Sequence, residues 1–232
     1  MTTVVFYTDH TLSEALAAPV QRILLAATAG MPVVSVSQRP MALGRNLAIG
    51  PQPRSHLTMY RQILLGVEAA DTDTIALAEH DVLYTREHVQ WTPPTLTTFY
   101  YNAHHWFADA KPGPGWGTFS WTGGKRVAMS QLICGRDILL ANLRQRIAHL
   151  EAGWTLRRGV PGVCEPGYGE ETAFAESTPE NTPPHPPATF FTTSVPNVDL
   201  RHGGNFTGWR RGVRCCPSLP PWGFLKAVLP HA

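Results

Sequence analysis

Hydrophobic and polar positions follow two alternating periods over the first 84 residues. Val4-Val5-Phe6-Tyr7-Thr8 is a short apolar run closed by Asp9, the pattern of a strand. From Glu14 to about Ala29, Leu16, Val20, Ile23, Leu24 and Ala27 recur at i, i+3/i+4 spacing. That spacing predicts a helix with Pro19 in its first turn and Gly30 at its stop. Residues 32–37 predict a second strand, and a polar loop containing Gly and Pro runs on to about Arg54. Ser55 stands where an N-cap belongs, and Leu57, Tyr60, Ile63, Leu64 and Val67 form the buried face of a second helix ending near Ala70. Asp71-Thr72-Asp73 turns into the apolar run 74–78, which Glu79-His80-Asp81 closes before Val82-Leu83-Tyr84. The order β-α-β-α-β predicts a mostly parallel sheet with right-handed crossovers, an α/β fold.

The second half has a different grain. Residues 97–103 are aromatic and β-prone, residues 117–124 read as a strand leading into a turn, and residues 138–151 have helical spacing. Residues 176–188 are rich in Pro, Ser, Thr and Asn, which predicts polyproline-like or mobile chain. Few regular patterns mark the last 30 or so residues, with Trp209, Trp222 and Phe224 as the expected anchors. The division expected is a β-α-β-α-β half over 1–84, a second half of the same domain over 85–210, and an irregular tail over 211–232.

Composition narrows the class. The 232 residues are 43% hydrophobic and 16% charged, enough to bury a core and unlike a disordered chain. A formal net charge of +2 does not compel a nucleic-acid partner. No apolar stretch approaches the ~20 residues of a membrane span, and the N-terminus lacks the pattern of a signal peptide. A cytoplasmic protein is the expectation. Cys134, Cys164, Cys215 and Cys216 show no CxxC or framework spacing and read as reduced thiols.

The candidate chemistry begins at Glu79 and Asp81. Residues i and i+2 of an extended segment point the same way, so both carboxylates can face one site at the C-terminal end of a strand. Two close carboxylates repel unless a cation lies between them, and a hard divalent metal carrying a phosphorylated substrate meets that need. The alternative is a solvated acidic turn.

This architecture resembles the GT-A fold of nucleotide-sugar glycosyltransferases. Glu79-His80-Asp81 is similar to the family's DxD motif, with Glu for the first Asp. Gly169-Glu170-Glu171-Thr172 resembles the acidic stretch that supplies a catalytic base in many inverting members. Asn197-Val198-Asp199-Leu200-Arg201-His202-Gly203 resembles the late histidine segment that returns to the metal. The resemblance implies Asp81 as ligand of Mn²⁺ or Mg²⁺, with Glu79 as second contact and His202 completing the shell. It also implies a nucleoside diphosphate-sugar donor, UDP being the commonest carrier. Thr8 and Asp9 would cradle the nucleobase and ribose. Glu171, ahead of its neighbour Glu170, would be the base that deprotonates the acceptor hydroxyl. For His202 a packing role stays open, as do first-turn helix acids for Glu170 and Glu171 and a simple turn for Thr8 and Asp9.

Other residues have two readings. Arg61 lies off the apolar face of its helix and either reaches a phosphate or is solvated. Trp106, Trp116 and Trp121 cluster around a Gly/Pro loop, either as an aromatic acceptor platform or as core. Arg201, Arg210, Arg211 and Arg214, with Trp209, suit an anionic acceptor groove. A hydroxymethylated pyrimidine in DNA, as modified by some phage enzymes of this kind, is one such acceptor. Two other classes compete: a metal-dependent phosphoester hydrolase built from Glu79, His80, Asp81 and His202, and a non-catalytic nucleic-acid-binding module.

Overall fold

The computed structural model describes residues 1–111, 116–124, 126–158, 162–167, 173–178, 180–182, 184–205 and 213–229. In chain order the main strands are β1 (Thr2–Thr8), β2 (Val33–Ser37), β3 (Arg45–Ala48), β4 (Thr74–Glu79), β5 (Val82–Leu83) and β6 (Phe99–Asn102). They continue with β7 (His105–Asp109), β8 (Phe119–Trp121), β9 (Leu132–Gly135), β10 (Ala188–Phe191), β11 (Asn197–Arg201) and β12 (Val213–Cys216). The helices that matter are α1 (Glu14–Ala27), α2 (His56–Glu68), α3 (Arg86–Gln90) and α4 (Arg136–Glu151).

A seven-stranded sheet has the order β10-β6-β9-β4-β1-β2-β3. Only β9 runs against its neighbours, antiparallel to both β4 and β6. The expected α/β class with a mostly parallel sheet is therefore what the chain forms. Burial on both faces explains the unbroken apolar runs of β1 and β4. Val5, Ile75 and Leu77 point to α2 and α4, where Tyr60, Ile63, Leu139 and Leu143 meet them. Val4, Phe6, Ala76 and Ala78 point to the opposite face, covered by Leu24 and Ala27 of α1. Each fully buried Val, Ile or Leu there contributes about 1.5–3 kcal/mol over exposure. Gly66 lets α2 lie close on β1, since a Cβ there would stand 2.5 Å from Val5 Cγ1.

A smaller sheet of five strands, β12-β8-β7-β11-β5, leans on the end of the first. Its apolar side, with Leu83, Ala108, Phe119, Val198 and Leu200, meets Leu16 and Val20 of α1.

Several expectations are corrected. Residues 45–48 of the presumed loop pair with β2 as β3, because Asn46 donates to Ser35 and Ser37 Oγ, at 2.9 and 2.8 Å, and satisfies the strand edge. Pro19 lies in the second turn of α1, so no N–H is available there for the Ala15 carbonyl. The C-terminal segment is not irregular. β12 pairs with β8, a hairpin joins Ser218–Leu219 to Gly223–Phe224, and Leu225–Val228 is helical. Leu219, Leu225 and Leu229 anchor it, while Phe224 is 61% exposed. Among the described residues no helix is long and apolar enough to cross a membrane.

Candidate active site

Two parallel strands end side by side, with Tyr7 of β1 opposite Glu79 of β4. β1 runs out into Asp9. β4 runs out into the turn His80-Asp81 and continues as β5 in the smaller sheet. β11 returns antiparallel to β5, and the Leu200 N–H donates to Asp81 O at 2.7 Å. That crossing brings His202 beside Asp81. Between the two sheet edges opens a cleft of about 660 Å³, lined by Thr8, Asp9, Glu79, His80, Asp81 and Asp199 among others.

Local bonds hold the strand ends. Gln62 of α2 donates Nε2 to Thr8 O at 3.0 Å, and Tyr84 accepts from Glu79 N at 2.9 Å while donating to Ser130 O at 3.0 Å. Tyr7 donates its hydroxyl to Glu79 Oε1 at 2.5 Å. Burial, then the charge of Asp81, push the Glu79 carboxyl well above the usual carboxylate range. Asp81 goes the other way. Burial raises it, but the bond from His202 and the charges of His80 and His202 outweigh that and hold it below its ordinary value. Asp81 Oδ2 accepts from Asn205 Nδ2 at 2.8 Å and stands 3.4 Å from His202 Nε2. Asp9 bonds Arg54 Nε at 2.8 Å through Oδ2 and lies 3.7 Å from His80 Nδ1 through Oδ1. Arg54 also donates to Gly204 O, tying β1's end to the loop after β11.

The wall from the smaller sheet follows the period-2 rule. Asp199 and Arg201 face the cleft while Val198 and Leu200 face the core. Asp199 Oδ1 is 3.6 Å from Arg201 Nε, and the guanidinium lies 4.1 Å over the Phe107 ring. Burial pushes Asp199 to about 7, against the opposing charge of Arg201 and with help from Asp81. His105, beside them, is lowered to about 3 by burial and by the charge of Arg126.

One group of side chains fits a divalent cation. His80, Asp81 and His202 each offer one ligand atom, all within 4.8 Å of one another. His202 Nε2 is sealed from solvent and aimed at Asp81. Two imidazoles with one carboxylate suit Mn²⁺ better than Mg²⁺, which prefers an all-oxygen shell.

The expected site residues fall into three groups. The structure brings Thr8, Asp9, Glu79 and Asp81 to the cleft, with His202 against Asp81. Glu79, expected as a metal contact, stands outside the His80-Asp81-His202 group, with one oxygen engaged by Tyr7. Arg61 does not reach the cleft. It is half exposed and pairs with Glu151 of α4 at 2.7 Å, because α2 turns that face toward α4. Trp106 points from β7 to the core side of the smaller sheet, and Trp116 lies 5.2 Å from the Lys226 ammonium, so neither lines the cleft. Arg201 is 7% exposed inside the cleft and cannot belong to a surface groove. Glu170, Glu171, Trp209, Arg210 and Arg211 lie outside the described residues.

Sequence reasoning gave no role to Asp199, Asn205, Tyr7, Arg54, His105 or Glu165, all of which line the cleft. For Asp199 a signal was present: Asn197, Asp199 and Arg201 alternate with Val198 and Leu200, the mark of a strand with one polar face. Glu165 had no such signal, since it sits in a loop.

Comparison by sequence finds no matching protein family and no matching curated protein. By structure, the chain is similar to a glycosyltransferase involved in the glycosylation of the major capsid of PBCV-1. Identity there is 11%, over 85% of this chain and 91% of that one, with a TM-score of 0.46. It is also similar to the glycosyltransferase GlyE of Streptococcus pneumoniae TIGR4. The apo form gives 11% identity over 68% of this chain and 39% of that one, with a TM-score of 0.37. A second GlyE structure gives 13% identity over 65% and 38%, with a TM-score of 0.38.

Proposed function

We propose that the chain is a metal-dependent glycosyltransferase that moves a sugar from a nucleoside diphosphate-sugar, UDP first among the carriers, to an acceptor hydroxyl. The observation that carries this reading is the His80-Asp81-His202 group at the joined ends of β4 and β11, next to Thr8 and Asp9 at the end of β1. A cleft at the C-terminal ends of parallel strands is where α/β sheets take nucleotides. Asp81, His80 and His202 would hold Mn²⁺ or Mg²⁺. The cation, when bound, supplies positive charge as a Lewis acid to a departing diphosphate.

The chain's own residues do the rest. Asp9, oriented by Arg54 and His80, offers carboxylate oxygens to ribose hydroxyls, with the Thr8 carbonyl held by Gln62. Asn205 orients Asp81 and leaves its other oxygen for a ligand. Arg201, stacked on Phe107 and paired with Asp199, places a fixed guanidinium in a site of low dielectric, where its field acts strongly on a developing anion. The resemblance carries the base to Glu171, with Glu170 beside it. The acceptor is defined here only as a hydroxyl. With Arg201 drawn inside, DNA as acceptor rests on Arg210, Arg211, Arg214 and Trp209.

The test is a thermal-shift and calorimetric panel of nucleoside diphosphates with and without Mn²⁺. A nucleotide that binds only with the metal, and loses that dependence in Asp81→Asn, supports the reading. Absence of nucleotide binding under every condition would sink it. Release of phosphate from simple phosphoesters instead would favour the hydrolase.

A further inference from the structure

A glutamate lines the cleft from a segment that is neither strand nor helix. Residues 162–167 form a short loop with one described backbone bond inside it, Glu165 N–H to Gly162 O at 2.9 Å. The loop is held from beneath by core side chains. Arg146 of α4, 1% exposed, donates Nη1 to Val163 O at 2.9 Å and Nη2 to Glu165 O at 3.0 Å. Its Nε is braced by Asn142 Oδ1 at 3.1 Å. Tyr60 donates to Cys164 O at 3.2 Å, and Tyr101 donates to Pro166 O at 2.7 Å. Four successive carbonyls thus each accept from a buried side chain. Gly167 closes the loop at φ +68, where a Cβ would lie 2.2 Å from the Phe99 ring.

Such an arrangement is costly. A buried guanidinium forfeits several kcal/mol of hydration, and ordering each loop residue costs about 1–2 kcal/mol. A loop held at that cost needs an account beyond packing. What it delivers is Glu165, which lines the cleft. Among the described residues its Oε2, closed off from solvent, has no hydrogen-bond partner. Glu165 acts electrostatically on Tyr7 and Glu79, which puts it on the β1/β4 side of the cleft and outside the His80-Asp81-His202 group. The groups that face it are Tyr7, Glu79, Tyr60, Cys164 and Arg146. Burial pushes its carboxyl up to about 8, with the Arg146 charge opposing, so it exchanges a proton near neutral pH.

We infer that Glu165, in place of the Glu171 to which the resemblance points, is the catalytic residue that takes the acceptor's proton during glycosyl transfer, and that Arg146 is the positioning residue that sets its place. The role rests on the glycosyl-transfer reading above. In the step, the acceptor O–H bond breaks and its proton passes to the Glu165 carboxylate. The oxygen's electron pair forms the bond to the anomeric carbon. The bond from that carbon to the diphosphate oxygen breaks, and its pair leaves with the nucleoside diphosphate.

The experiment uses the whole chain with Mn²⁺ and a panel of UDP-sugars, with water as acceptor, reading UDP release and, separately, UDP affinity by calorimetry. Glu165→Gln is expected to lower kcat on the order of 10²–10⁴-fold with UDP affinity unchanged, and the wild-type rate should climb with pH through about 8. Arg146→Met should move that pH midpoint upward, because the opposing charge is gone, which a merely structural role would not do. Glu165→Asp keeps a carboxyl and guards against misfolding of the Gln variant; it should retain part of the rate and a pH dependence. Carbon-13 carboxyl titration by NMR should place Glu165 near 8 without any turnover. Near-wild-type kcat in Glu165→Gln alongside a collapse in Glu171→Gln would overturn the assignment, as would a Glu165 titration in the ordinary carboxylate range. Absence of UDP binding by the wild type would instead remove the glycosyl-transfer reading itself and the role with it.

Discussion

The two walls of the cleft are built differently. The wall from β1 and β4 is continuous with the largest core cluster, and the carboxylates just past its strand ends pair with groups brought in from other elements: Asp9 with Arg54, Asp81 with Asn205 and His202. The second wall joins β7 and β11, opposite, to the loop 162–167 on the β1/β4 side, a loop held through its carbonyls by buried side chains such as Arg146 and Tyr60. The first wall is held by backbone ladder and apolar burial, the second by polar contacts in low dielectric. Damage to the first should show mainly in ligand binding, and damage to the second mainly in turnover and in pH response.

The largest effect tests the first wall. Asp81→Asn removes the charge that His80 and His202 face and should lower Mn²⁺ affinity by more than about 100-fold, the upper end for loss of even an indirect metal contact. Its melting temperature should change little, since Asn keeps the shape. Metal titration that matches wild type would dissolve the distinction between the walls.

Breaking the second wall should cost stability as well. Arg146→Met leaves the Val163 and Glu165 carbonyls without their buried donor, at about 1–3 kcal/mol each. Denaturant unfolding measures the loss. A variant as stable as wild type would mean that the loop is held by something other than the clamp. Gly66→Val is the counterpart on the first wall. It forces α2 off β1 and should cost about 1–3 kcal/mol.

Acid should act through the second wall and the region behind it. His88 and His105 are buried and lowered to about 3 by desolvation. In the unfolded chain each binds a proton near 6.5, while in the folded chain neither does until about 3, so the unfolded state is favoured as pH falls through that window. Stability present above 6.5 is lost at about 1.4 kcal/mol per pH unit for each histidine. Denaturant midpoints measured from pH 7 to 4 should fall, and His88→Asn should flatten the slope. A pH-independent midpoint would contradict burial of neutral imidazoles.

The smallest effect concerns the acceptor. If DNA is the acceptor, binding to duplex should weaken steeply with salt, and replacing Arg210 and Arg211 together should flatten that slope by about two phosphate contacts while sparing UDP binding. No duplex binding at low salt would leave a small-molecule or glycan hydroxyl as the acceptor.

The amino-acid sequence by itself determined the first wall. β1, β4 and α2 are written in local periodicity, the Ser55 cap forms as its position implies with Oγ accepting from Thr58 N, and Asp81 was legible because an apolar run must end where its carboxylate begins. Only the tertiary structure decided the second. Whether Arg61 or Arg201 enters the cleft depends on how α2 sits on α4 and how β11 crosses β5, and no short-range pattern encodes either. Residues 45–48 look like loop until β2 offers them a ladder. Glu165 gains its place from an arginine 19 residues earlier and from tyrosines on α2 and β6, through contacts that exist only once the chain has folded. Local propensity and burial pattern act over a few residues and survive in the sequence. Polar networks and shifted proton affinities arise from the low dielectric of a packed interior, which the sequence contains only when its distant parts have met.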